Sequence, residues 1–164
     1  MGFAFPPKGE PPERASALIT PACAKAQRSS GDMRMYLWIA FGSALGGVAR
    51  YWFSGFIAHR IGETFPWGTL LVNVSGSFAI GLFATLTDTE GRWLVSPASR
   101  QFFMVGVCGG YTTFSSFSLQ TLNLLRDGEW FRAGANAVLS FALCLVAVWL
   151  GHVLALYFNQ PKGG

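Results

Sequence analysis

No aspartate or glutamate falls within four long apolar stretches of this chain, at about residues 35–58, 67–87, 101–125 and 131–157. Each meets the roughly 20 residues that a helix needs to cross the hydrocarbon core of a bilayer. Hydrophobic residues make up 51% of the sequence and charged ones only 12%, so little chain is left over for a water-soluble domain. The pattern predicts an all-α integral membrane protein with four transmembrane helices over 33–160, followed by a short tail at 161–164.

The net charge of +4 does not point to nucleic acid. Lys8, Arg14, Lys25, Arg28 and Arg34 lie at or before the first stretch, and the remaining basic residues sit near helix ends, where membrane anchors are usual. Cys23, Cys108 and Cys144 have no metal-ligand spacing and read as small hydrophobes. Residues 1–32 contain no apolar run of signal-peptide type. Two readings stand for them: a disordered extension, or a translation start that belongs at Met33 or Met35.

The third stretch carries the sequence's least ordinary run, Gly-Gly-Tyr-Thr-Thr-Phe-Ser-Ser-Phe-Ser at 109–118. Paired glycines weaken a helix, and in hydrocarbon the freed backbone groups are tolerated only where protein or a watery cavity satisfies them. A break in the third helix at Gly109 and Gly110, beside a cluster of hydroxyls, reads as an ion or substrate site. Phe114 and Phe117, three apart, share a face if helix resumes after the break. An aromatic ring has a positive edge, so such rings can face a small anion without a formal charge, although packing is the commoner use.

Other polar residues line up with this. Arg50, about two-thirds along the first stretch, either snorkels to the interface or faces a watery vestibule that concentrates anions. With no carboxylate in any span to pair with it, the vestibule reading is favoured. Thr69, Asn73 and Gly76 form one polar, small-residue stripe on the second helix. Asn136, Ser140 and Cys144, each four apart, form another on the fourth. Together the two stripes and the broken helix can enclose a narrow conduit. Gly42 and Gly46 offer a small-xxx-small face for close helix approach.

Charge gives the chain almost no preferred orientation. From Met33 onward one side carries Arg34, Arg92, Arg100 and Lys162; the other carries Arg60, Arg126 and Arg132, with Arg50 near the end of the first span. By the positive-inside rule such a subunit inserts both ways and can pair antiparallel, a bias that the basic residues of 1–32 would weaken if they are translated.

Gly-Gly-x-x-Arg-Tyr (46–51), Trp-Gly-Thr-Leu-x-Val-Asn-x-x-Gly (67–76) and Gly-Gly-x-Thr-Thr-Phe-Ser-x-Phe-Ser (109–118) resemble the signatures of the Fluc (CrcB) fluoride channels. The likeness runs from about 35 to 158 in order and spacing. It implies a four-helix subunit in the cell inner membrane, forming an antiparallel, dual-topology homodimer with two fluoride pores. By position, it places Asn73 in the pore lining, Phe114 and Phe117 with ring edges toward the ion, and Arg50 by the vestibule. It also implies a structural sodium ion held at the dimer interface by the backbone carbonyls of Gly109 and Thr112. Three positions depart from the family pattern: Gln120 stands where many members have glutamate, Asn136 where some have tyrosine, and Cys144 replaces a serine.

Fluoride is small and strongly hydrated, so a selective passage must replace its water with hydrogen-bond donors. The Asn73 amide, the hydroxyls of Thr69, Thr113, Ser116 and Ser140, and the two phenylalanine edges are the candidates. The sequence shows no nucleotide-binding glycine loop and no nucleophile–base pair, which argues for passive export and against an enzyme; His59 and His152 lie at span ends. A small multidrug-type proton-coupled exporter is the main alternative, but it would need a titratable carboxylate in a span. A non-transporting membrane scaffold is the other, and it leaves the hydroxyl cluster unexplained.

Overall fold

The computed structural model describes residues 21–88 and 91–160, with side chains from 33 onward. The expected extension at 1–32 therefore lies largely outside the described residues, as does the tail at 161–164. The chain divides into two units, Met1–Met35 and Tyr36–Gly164. In the first, the backbone from 21 to 35 is helical. The second holds everything discussed below.

All regular structure among the described residues is helical: α1 (Pro21–Ile61), α2 (Trp67–Leu86), α3 (Pro97–Gln101), a π-helical run (Phe102–Cys108), α4 (Gly109–Tyr111), α5 (Phe114–Arg126) and α6 (Trp130–Asn159). By length and composition α2 and α6 are each apolar enough to cross a membrane. The distribution of side chains is that of a protein in lipid. Large apolar residues point outward along α1 and α6, among them Val48, Trp52, Val138, Phe141 and Trp149. Beside a few aliphatic residues of α2 (Leu70, Val72 and Leu86), many buried positions are small or polar, among them Ala133, Ala147, Ala155, Thr69, Asn136 and Ser140. Without a hydrophobic force between helices in lipid, close backbone approach and interhelical hydrogen bonds hold such a bundle together.

Two crossings show how. The expected face of Gly42 and Gly46 meets the third helical segment. A Cβ on Gly46 would strike the Val107 carbonyl, and one on Gly110 would strike the backbone of Ser43. At the second crossing, Gly81 lies against the Val148 carbonyl and Gly151 against the Phe78 carbonyl, bringing α2 and α6 into backbone contact. The far ends of these two helices are tied by polar groups. The Asn159 amide donates to the Thr85 carbonyl (3.1 Å), and the Arg92 guanidinium donates to the Phe158 carbonyl (3.3 Å).

The third helical segment is broken, but not at the glycine pair. Gly109 is in ordinary right-handed helical conformation (φ −64°, ψ −37°), and both glycines belong to α4. The break falls at Thr112 (φ −79°, ψ 156°) and Thr113 (φ −152°, ψ 118°), both extended. β-Branched residues suit extended backbone, and Thr113 then serves as N-cap of α5, its Oγ1 accepting from the Ser116 N–H at 3.2 Å. Gly110 is instead needed for packing against Ser43.

Candidate functional site

A helix that stops in mid-bundle leaves unpaired carbonyls behind it and unpaired N–H groups ahead of it. Here Asn73, on α2, bridges the gap. Its Oδ1 accepts from the Thr113 N–H at 2.7 Å, and its Nδ2 donates to the Thr113 carbonyl at 3.0 Å. One amide thus does for Thr113 what a neighbouring strand would do. The second N–H of Nδ2 is not used in this pairing. Thr112 Oγ1 donates back to the Cys108 carbonyl at 2.9 Å. Among the described residues, no backbone amide donates to the carbonyls of Gly109 or Thr112.

Two open cavities flank the break, and Thr113 lines both. The first, of about 720 Å³, collects Arg50 and Ser54 from α1, Thr69 from α2, and Ser116 and Gln120 from α5. Glu63 and Asp127 also line it, so the basic vestibule expected around Arg50 contains carboxylates from the connecting turns. No ion pair joins them to Arg50 among the described residues. The second cavity, of about 580 Å³, is walled by Asn73, Gly109, Thr112, Phe114, Phe117, Ser140 and Cys144, with several apolar neighbours. Phe114 is 79% exposed, and its ring lies 5.3 Å from that of Phe117, centre to centre, tilted by 45°.

The structure therefore distributes the residues singled out in the sequence over the two sides of one break. Arg50, Thr69 and Ser116 are on one side; Asn73, Gly109, Thr112, Phe114, Phe117 and Ser140 are on the other. One expectation needs correcting. The polar stripe on the fourth helix does not face a cavity as a unit: Ser140 and Cys144 do, whereas Asn136 is 1% exposed and lines neither. Its amide donates instead to Thr121 Oγ1 of α5 at 2.8 Å. Thr121 was not singled out in the sequence, because its partner lies on a different helix. Tyr111, whose hydroxyl is 3.0 Å from Ser75 Oγ, was missed for the same reason. The Gln120 Oε1 is buried without a hydrogen-bond partner among the described residues.

An interrupted helix whose gap is closed by a side-chain amide, with hydroxyls on both sides of the break and two aromatic rings on one, suits a membrane protein that passes or holds a small solute. The family model described as CrcB-like protein, Camphor Resistance (CrcB), matches residues 37–152. Among similar curated proteins are the fluoride-specific ion channels FluC of Opitutus terrae, 66% identical over 80% of this chain and 99% of its own length, and of Methylocella silvestris, 63% identical over 78% of this chain and 98% of its own. That of Rhodospirillum rubrum is 61% identical over 76% and 97%. The chain belongs to the CrcB-like family.

Proposed function

We propose that this protein is a fluoride-selective ion channel, a passive transporter rather than an enzyme, working as an antiparallel homodimer of four-span subunits in the cell inner membrane. The observation that carries the reading is the Asn73–Thr113 closure of the broken helix, which sets Phe114 and Phe117 at the wall of one cavity and Thr113 between the two. A dehydrated fluoride needs donors at short range. The hydroxyls of Thr69 and Ser116, the remaining Asn73 N–H and the two ring edges supply neutral ones, which bind weakly enough to let the ion leave, while Thr113 and Ser140, whose protons go to Ser116 Oγ and Asn136 Oδ1, line the same walls. Arg50 puts a positive charge on the wall of the first cavity, where it offsets one of the two carboxylates, Glu63 and Asp127, that share that wall. An inside-negative potential favours anion exit by about 2.3 kcal/mol per 100 mV, so export needs no fuel. In liposomes loaded with both halides, the purified protein is expected to release fluoride and retain chloride; equal release of the two would overturn the reading.

Antiparallel pairing is supported by the balanced flanking charges. A cysteine introduced in the 62–64 turn of an otherwise cysteine-free chain is then labelled by an impermeant thiol reagent from both faces of the membrane. Labelling from one face only would contradict it.

The carbonyls of Gly109 and Thr112 fit a hard cation such as sodium: they belong to a helix end, accept no backbone amide and share the wall of one cavity. Gly109 has only the Met104 carbonyl, at 3.8 Å, near the place a Cβ would take, so crowding within one subunit does not require glycine there. In the dimer, sodium would be held by four such carbonyls, two from each subunit, and would cross-link the subunits structurally. Replacing sodium by N-methylglucamine on both sides is expected to lower fluoride flux and weaken the dimer. Unchanged flux and unchanged dimer stability would exclude the site.

A further inference from the structure

The half-helix that carries both phenylalanines is poorly held by packing, since none of its residues from Phe114 to Arg126 is buried. Side-chain amides fasten it at two points. The first is the Asn73–Thr113 pairing at its N-cap. The second is a hydrogen-bonded chain from α6: Ser140 Oγ donates to Asn136 Oδ1 (3.4 Å), Asn136 Nδ2 donates to Thr121 Oγ1 (2.8 Å), and Thr121 Oγ1 donates to the Phe117 carbonyl (2.8 Å). Among the described residues, the Asn136–Thr121 bond is the only side-chain hydrogen bond between α5 and α6.

The donor order in this chain is self-consistent. The Thr121 hydroxyl proton goes to Phe117, so its oxygen lone pairs are left to accept, and only the amide nitrogen of Asn136 can donate to it. The amide oxygen is thereby turned toward the Ser140 proton. This network is fully buried only at its α6 end, and one in which each member is satisfied fixes geometry more than it adds net stability. Both phenylalanines lie between the two fastenings, and the second ends on the backbone of Phe117 itself.

We infer that Asn136 is a positioning residue that acts through Thr121 to fix the ring of Phe117 at the cavity wall, and does not itself contact the ion. The inference rests on the channel reading for its consequence on flux, but its geometry can be read without it. In the full-length protein, Thr121→Val removes the hydroxyl while keeping the β-branched shape and leaving the Asn136 amide in place. Asn136→Ala removes the other end.

Each single variant is expected to lower fluoride release from liposomes by at least about tenfold, equivalent to about 1.4 kcal/mol. The double variant should be no worse than either single one, because both cut one connection. Thr121→Ser, which keeps the hydroxyl, should restore flux. With fluorophenylalanine at position 117, the fluorine resonance should shift or broaden in both single variants and return to its normal position in Thr121→Ser.

If Asn136→Ala lowers flux and Thr121→Val does not, Asn136 serves the ion directly and the inference falls. It also falls if both variants merely reduce the yield of dimer while the resonance and the flux per dimer stay unchanged. Should the unaltered protein fail to favour fluoride over chloride, the channel reading fails, and the resonance alone still decides whether Asn136 positions Phe117.

Discussion

Asn73→Ala is expected to reduce fluoride flux by at least about 100-fold. The substitution leaves the Thr113 N–H and carbonyl without partners inside the bundle, at about 1–3 kcal/mol for each buried unsatisfied group. A loss of about 2.8 kcal/mol already corresponds to two decades. The alanine has no way to bridge the gap, so Thr113 must find other partners, and α5 shifts with it, carrying Phe114, Ser116 and Phe117 off the cavity walls. Asn73→Asp separates the two jobs of the side chain. It keeps the acceptor for the Thr113 N–H but loses the donor to the Thr113 carbonyl and the spare N–H, and it places a negative charge where an anion must pass. Flux should therefore be lost in this variant too, whereas helical content by circular dichroism should be closer to normal than in Asn73→Ala. Fluoride release that survives both substitutions would separate the closed break from conduction.

Phe114→Ile has the second largest expected effect. Isoleucine fills a comparable apolar volume, so lipid and neighbouring side chains lose little, and the mostly exposed position has no tightly packed surroundings to disturb. What disappears is the positive ring edge. At least about tenfold loss of fluoride flux is expected, about 1.4 kcal/mol at the barrier, with dimer yield unchanged on size-exclusion chromatography. A scaffold that merely packs through its faces would be unaffected by the substitution. Normal fluoride flux from a well-assembled Phe114→Ile protein would remove the ring edge from the mechanism.

The parts of this molecule that could be read from the chain are those set by local composition. The long apolar stretches announce helices in lipid, and Gly42 with Gly46 announces a close crossing, because a small-residue face needs no knowledge of its partner. The break was legible as well, from the glycine pair and five aliphatic hydroxyls in the run 109–118, but its position was not. Glycine's helix penalty is only about 1 kcal/mol, and the packing of Gly110 against Ser43 outweighs it. The two threonines take the extended conformation because an asparagine forty positions earlier supplies the missing hydrogen bonds. Such a partner cannot be found from spacing along one helix.

The same limit applies to Asn136. Periodicity placed it on a stripe with Ser140 and Cys144, and the stripe exists. Yet its upper end turns into α5 rather than into a cavity, because Thr121 offers an acceptor there. Gly81 and Gly151 were also silent in the sequence. Each becomes meaningful only when α2 and α6 cross with their backbones in contact.

The most direct measurement of the central claim is the reversal potential of the reconstituted protein in a planar bilayer with fluoride at unequal concentrations on the two sides and an independently varied chloride gradient. Conduction past the Asn73–Thr113 closure by neutral donors predicts a current carried by fluoride alone, with a reversal potential that follows the fluoride gradient and does not move when chloride is changed. A reversal potential that tracks chloride as readily as fluoride would contradict the account.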